Sequence, residues 1–186
     1  MKRHVILASA SPRRKDLLEA AGYSVTCVVS GVEELEVDHL SPAALAMENA
    51  RRKATAVAPL HPNEIVIAAD TVVSMDGIFF GKPANEEAAV EMLRRLNGRQ
   101  HEVVTGVVVS GCVSIEFSES TRVTFRTLTD EDLRDYVRDI HPLDKAGSYA
   151  AQNDNGRIIK GIEGSLSNVI GLPIERLEDE LATAFS

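Results

Sequence analysis

Ile65-Val66-Ile67-Ala68-Ala69-Asp70-Thr71-Val72-Val73 is the stretch whose reading decides the fold. Residues 64–69 are apolar after the first, which predicts a strand, and 72–80 fold back around Asp76-Gly77, a strong two-residue hairpin turn. Asp70 ends the apolar run. Burying a carboxylate there costs free energy unless it is paired or meets a metal, and open α/β sheets gather ligands at the carboxyl ends of their strands. Asp70 is therefore a candidate general base or metal ligand. Capping of a turn through Thr71 fits the spacing equally well.

Working outward, strand and helix signals alternate, which predicts an α/β protein. Residues 3–8 read as a buried strand, 12–21 as a helix ending at Gly22, 23–29 as a second strand and the acidic 33–38 as a loop. Ser41-Pro42 opens a helix reaching about 58, with Met47, Ala50, Ala54 and Val57 as its apolar stripe. A helix over 85–96 has Gly98 beyond its end. Strands are expected at 101–110, 112–118 and 121–126, the last two as an antiparallel pair. Thr129 caps a helix to about 138, residues 157–162 form a strand, and Pro173 opens the last helix. Residues 1–186 contain no repeat, low-complexity run or linker, so one domain is expected.

Bulk properties narrow the function. With 44% hydrophobic residues in 186, the chain can bury roughly 70% of its extended surface without a disulfide. Cys27 and Cys112 form no C-x-x-C, which favours a reducing compartment. Met1-Lys2-Arg3-His4 runs straight into a strand, too short a start for a signal peptide, and no apolar run approaches the roughly 18 residues of a spanning helix. A cytoplasmic protein without membrane contact is the expectation. Net charge is −8, with only three tyrosines and five phenylalanines, and no broad basic footprint for a nucleic-acid polymer is visible. Phosphate binding must then be local.

Ser9-Ala10-Ser11-Pro12-Arg13-Arg14-Lys15 is where such binding concentrates. Ser11 and Pro12 suit an N-cap and a first helical residue, yet three cations follow where helix dipoles favour acids. The helix at Asn85 has the ordinary arrangement, Glu86 and Glu87 first, Arg94 and Arg95 last. Backbone N–H groups, hydroxyls and guanidinium groups meeting at the first helix suit a polyphosphate; a solvated basic turn is the competing reading. Lys82, in Gly81-Lys82-Pro83 after the hairpin, falls near Asp70. Lys53 lies at the edge of its helix's apolar stripe, where its stem can pack while its amine reaches a cleft. The polar, small-residue loop 144–152 lines a pocket or merely connects elements. There is no G-x-x-x-x-G-K-[ST], no strand-linked G-x-G-x-x-G and no G-x-S-x-G, and His4, His39, His61, His101 and His141 lack metal-ligand spacing.

Taken in order, these segments resemble the Maf family of septum-formation proteins over nearly the whole chain. The matching pieces are Ser9-Ala10-Ser11-Pro12-Arg13-Arg14 with Leu17-Leu18, Glu48-Asn49-Ala50 through Lys53-Ala54, Ala69-Asp70-Thr71-Val72-Val73, Gly81-Lys82-Pro83 and Met92-Leu93 to Gly98. His101 through Thr105-Gly106, Pro142-Leu143-Asp144-Lys145-Ala146-Gly147 with Tyr149 and Gln152, and Asn168-Val169-Ile170-Gly171-Leu172-Pro173 follow.

The resemblance implies a twisted mixed β-sheet flanked by helices, two lobes around a central cleft, similar to inosine triphosphate pyrophosphatases. It implies hydrolysis of nucleoside triphosphates to the monophosphate and pyrophosphate, a nucleotide diphosphatase activity dependent on Mg²⁺ or Mn²⁺. Arg13, Thr71 and Gln152 look like the branch acting on dTTP and UTP, although Ala150-Ala151-Gln152-Asn153-Asp154 departs from that branch's usual Gly-Ile-Gln-Gly. Asp70 would be the proton acceptor or metal ligand, Glu34 a second metal ligand, and Lys53 and Lys82 catalytic. Ser9, Arg13 and Arg14 would hold phosphates, while Thr71 and Gln152 would read the base. A homodimer is compatible with the resemblance. A non-catalytic nucleotide-binding regulator of septum formation and cell division is the alternative.

Overall fold

A computed structural model describes residues 3–37 and 39–186; Met1 and Lys2, and Asp38 at the end of the expected acidic loop, lie outside the described residues. Among the described residues a seven-stranded mixed sheet runs in the order β2-β1-β3-β5-β6-β7, with β4 paired to β3 alone. β1 (His4–Leu7), β2 (Ser24–Cys27) and the start of β3 (Ile65–Met75) are parallel. β4 (Ile78–Phe79), β5 (Gln100–Gly111), β6 (Ile115–Phe125) and β7 (Ile159–Glu163) continue it antiparallel.

β3 differs from expectation. It does not stop before Asp70 but runs unbroken to Met75, because β5 pairs with it in register from Ile65↔Gly111 to Ser74↔Glu102. β1 follows it only as far as Leu7↔Ile67. Past that point this edge of β3 has no strand beside it among the described residues until β4 joins at Ser74↔Phe79, so Asp70 still lies just beyond the carboxyl end of the parallel pairing. The two strands expected at 112–118 and 121–126 are likewise one, β6, paired to β5 from Gln100↔Thr124 to Val109↔Ile115. Glu119 and Ser120 resemble a turn by composition, yet they continue an alternation that buries Phe117, Thr121, Val123 and Phe125. Sheet pairing overrode local polarity.

Side-chain alternation along β3 sorts the helices. Ile65, Ile67 and Ala69 pack on the side of α1 (Pro12–Ala20) and α6 (Ile174–Ala184), through Leu18, Leu177 and Leu181. Val66 and Ala68 face α2 (Pro42–Val57), through Ala50, Ala54 and Val57. Val73 and Met75 join the cluster beneath α3 (Glu86–Leu96) and α4 (Asp130–Ile140). A fully buried residue of this size contributes about 2 kcal/mol. β3, buried at every position except Thr71, is thus the keel of the molecule.

One glycine fixes how close α2 comes. A Cβ at Gly106 would lie 2.6 Å from the backbone of Ala46 and Met47, and Gly106 is the register partner of Asp70. Direct contact of helix backbone with sheet brings Asn49 and Lys53 within reach of that carboxylate. A short helix not expected from the sequence, α5 (Leu166–Ile170), precedes the last one.

Candidate active site

Beyond the end of β1 opens a cavity of about 450 Å³. Successive residues of β3 serve its two sides. Asp70, an even position, points toward α2; Thr71, an odd one, toward α1 and α5.

Asp70 is 6% exposed. Its Oδ1 accepts from Lys53 Nζ at 2.7 Å and its Oδ2 from Asn49 Nδ2 at 3.2 Å. Lys53, 6% exposed, also donates to Glu34 Oε1 at 2.6 Å, while Lys82 Nζ reaches Glu34 Oε2 at 3.4 Å. Burial works to raise the Glu34 pKa, but the Lys53 hydrogen bond, with the charges of Lys53 and Lys82, outweighs it and holds the carboxyl at about 2. Asn49 closes the set. Its side chain donates to Leu35 O and accepts from Leu35 N at 2.7 Å, anchoring the loop that carries Glu34. Asn49 belongs to the matching pieces but had no expected role; its position four residues before Lys53, on one helical face, was the available signal.

On the other side, Arg14 borders the cavity with its guanidinium engaged inside the protein. It is 9% exposed, and its guanidinium donates to Gly171 O (2.8 Å), Ser9 Oγ (3.2 Å) and Thr71 Oγ1 (3.0 Å). Thr71 also meets Thr105 Oγ1 at 2.9 Å. Both side chains border the cavity but are engaged within the protein. Ser9 Oγ accepts from Arg14 and from Ser11 N, and its proton has no protein acceptor among the described residues. α1 has no side-chain cap and no acid in its first turn, whereas Ser41, Asn85 and Thr129 cap α2, α3 and α4. The first helix therefore keeps its N–H groups for an incoming anion.

Arg13 Nη1 donates to Asp144 Oδ2 at 2.6 Å, tying α1 to the turn at Pro142–Asp144. Lys145, from the polar loop 144–152, also pairs with Asp144. Gln152 lines the cavity, is exposed, and has no hydrogen-bond partner among the described residues. Near it Ala146, Ala151 and Val169 pack against the core cluster containing Tyr149, which makes that end of the cavity apolar. The structure thus brings Ser9, Arg13, Arg14, Glu34, Lys53, Asp70, Thr71, Lys82 and Gln152 to one cavity.

Five cations, Arg13, Arg14, Lys53, Lys82 and Lys145, and three carboxylates, Glu34, Asp70 and Asp144, line it. Two positive charges are in surplus, in a chain whose net charge is −8. Among the described residues no three His, Cys, Asp or Glu side chains form a metal-holding group. The donor set that fits a metal is the pair Glu34 and Asp70, both bonded to one ammonium. Mg²⁺ is commonly held by one or two carboxylates, with phosphate oxygens and water completing its shell, so the residues fit a hard divalent cation bound together with a phosphate ligand. No helix among the described residues is long and apolar enough to cross a membrane.

The family model described as Maf-like protein matches residues 4–184. A dTTP/UTP pyrophosphatase of Bacillus mycoides (strain KBAB4) is 48% identical over 180 residues, covering 96% of this chain and 94% of the relative. One of Bacillus cereus (strain AH820) is 46% identical over the same shares. Among solved structures, the Ham1 protein of Staphylococcus aureus aligns with TM-score 0.55 and 17% identity, over 97% of this chain and 99% of that one. A HAM1 protein of Coxiella burnetii aligns with TM-score 0.50 and 15% identity, over 98% and 100%. At such identities the likeness is one of fold.

Proposed function

Because the chain belongs to the Maf family, we propose that it hydrolyses dTTP and UTP to the nucleoside monophosphate and pyrophosphate, as a cytoplasmic housecleaning enzyme acting as a single 1–186 unit. The observation that carries this reading is Asp70. A buried carboxylate is held by Lys53 and Asn49 in a cavity with surplus positive charge. A protein that only bound nucleotide could use such a carboxylate to hold the metal ion; the pyrophosphatase names of the relatives favour catalysis.

Asp70 takes the proton of the attacking water as that water adds to the α-phosphorus. Lys53 fixes the orientation of Asp70 and Glu34, and lies where negative charge grows in the transition state. Lys82, Arg13 and Lys145 face the departing pyrophosphate; the first is more than half exposed and free to follow it. Ser9 donates its hydroxyl to a phosphate oxygen beside the open N-terminus of α1. Gln152 hydrogen-bonds the pyrimidine edge, for which an amide offers both donor and acceptor. Glu34 and Asp70 would hold Mg²⁺ or Mn²⁺, which supplies charge neutralisation on the phosphates. A triphosphate carries about four negative charges and keeps about two beside one divalent cation, equal and opposite to the cavity's surplus.

The test is a panel of nucleoside triphosphates with Mg²⁺ or Mn²⁺, scored for products. Pyrophosphate with UMP or dTMP is expected, at rates above those for purine triphosphates. Release of orthophosphate would overturn the reaction assignment, and stoichiometric binding without turnover would favour a regulator.

A further inference from the structure

The wall formed by Val169, Ile170 and Gly171 is pinned at both ends by side chains. Just before it, the carbonyl of Asn168 accepts from Thr105 Oγ1 at 3.2 Å. At its far end, the carbonyl of Gly171 accepts from Arg14 Nε at 2.8 Å, with Thr71 Oγ1 at 3.4 Å. We propose that this segment is the face against which the nucleobase lies, and that Thr105, which touches no substrate, is a positioning residue that sets its place through an Arg14–Thr71–Thr105 relay. The inference rests on the nucleotide reading of the cavity.

Counting protons leaves the relay two patterns, and both occupy the Thr71 hydroxyl. A hydroxyl has one proton to donate and two lone pairs to accept with. In the first, the wholly buried Thr105 donates to the carbonyl of Asn168 at 3.2 Å and accepts from Thr71 at 2.9 Å. In the second, Thr105 Oγ1 donates to Thr71 at 2.9 Å and the Thr71 proton goes to the Gly171 carbonyl at 3.4 Å. In both, Thr71 accepts from Arg14 Nη2. Each bond orients the next. Thr71 consequently has no proton left for a base, which turns its expected base-reading role into support of the wall.

Two observations place the base here. Val169 packs with Ala146 and Ala151 on the Tyr149 cluster, an apolar surface for a flat ring, and Gln152 stands beside it with a free amide. The buried carboxylate and its lysine lie on the α2 side of β3, where Asn49 and Lys53 approach.

The experiment measures binding of UMP and of inorganic tripolyphosphate, each with Mg²⁺, together with UTP kinetics. Thr105→Val keeps the shape and removes the hydroxyl, leaving the Asn168 carbonyl or Thr71 Oγ1 without that donor. Loss of one hydrogen bond corresponds to about a fivefold effect. Thr105→Val should weaken UMP about fivefold and raise KM for UTP to match, with tripolyphosphate binding and kcat changed less than about twofold. Thr105→Ser should restore both. UMP binding unchanged by Thr105→Val, equal weakening of both ligands, or no rescue by serine would each overturn the relay. Should Thr105→Val not fold, Ile170→Ala reads the wall directly, and unaltered UMP binding by that variant overturns the base assignment. A wild-type chain that binds neither ligand sinks the nucleotide reading itself, whereas wild-type binding of both with Thr105→Val indifferent to UMP sinks the relay alone.

Discussion

Two clusters of alternating charge in this molecule look alike as residue lists and differ in what burial does to them. Between α3 and α4, Arg134 Nη1 donates to Glu87 Oε2 at 2.9 Å and Arg94 Nη2 to Asp130 Oδ2 at 2.7 Å, on side chains a third or more exposed. In the cavity, Lys53 bridges Glu34 and Asp70, and the Lys53–Asp70 pair is 8% exposed on both side chains. Asp130 and Glu34 both sit at about 2. Asp130 is drawn there chiefly by the Arg94 hydrogen bond, while Glu34 reaches it only against burial, its largest single influence. Exposed pairs of the first kind add little to stability. A buried group of the second kind costs several kcal/mol per ion in desolvation, which its partners offset only while all of them are present. Under the proposed function so costly an arrangement serves chemistry and not folding.

The largest effect that would separate the clusters is on turnover. Asp70→Asn should reduce UTP hydrolysis about 10³-fold while leaving nucleotide affinity within a few-fold; near-normal pyrophosphate release by this variant would refute the general-base role. Next is stability. Lys53→Met leaves two carboxylates without their shared partner and should cost about 3 kcal/mol in urea unfolding. Adding Asp70→Asn to it should recover much of that loss and none of the activity. If the double variant is no more stable than the single one, the buried-charge explanation fails.

A neutral buried side chain gives a similar magnitude through pH. His101, 3% exposed and bonded through Nε2 to the Tyr149 hydroxyl, is pushed down to about 4 by burial. The unfolded chain takes up its proton near the ordinary 6.5, the folded one only near 4. Stability from this group is therefore complete above pH 6.5 and is lost as pH falls from there toward 4, by about 3 kcal/mol. Unfolding of wild type and His101→Gln compared at pH 7.5 and 4.5 checks this; parallel losses in both proteins would exclude the histidine. Smaller again, Gly106→Ala should cost about 2 kcal/mol by forcing α2 off β5, with kcat falling because Asn49 and Lys53 move with the helix. Smallest of all, Asp130→Asn should change neither turnover nor melting temperature measurably. A drop in activity there would show that the exposed cluster does more than decorate two helices.

Much of this was legible in the chain, and the parts that were not share a cause. The apolar run before Asp70, the Asp76-Gly77 hairpin, the Ser41-Pro42 helix start and the Thr129 cap are local signals, and the structure follows them. β3 and β6 each run on past the polar residues that end their local signals, because β5 carries the pairing, through Asp70 from far along the chain and through Glu119 across the hairpin at residues 112–114. The cavity residues were found by type, but their engagement was not. Nothing in Arg13-Arg14 says that one guanidinium faces Asp144 and the next is enclosed by Ser9, Thr71 and Gly171. Asn49 and Lys145 were passed over because an amide in a helix and a lysine in a loop are ordinary until a carboxylate is placed beside them.

The most direct measurement is hydrolysis of UTP in water enriched in heavy oxygen, with products resolved by phosphorus NMR. If water activated at Asp70 attacks the α-phosphorus, the heavy atom enters UMP and the pyrophosphate stays unlabelled. Label in pyrophosphate, or in released orthophosphate, would contradict that chemistry.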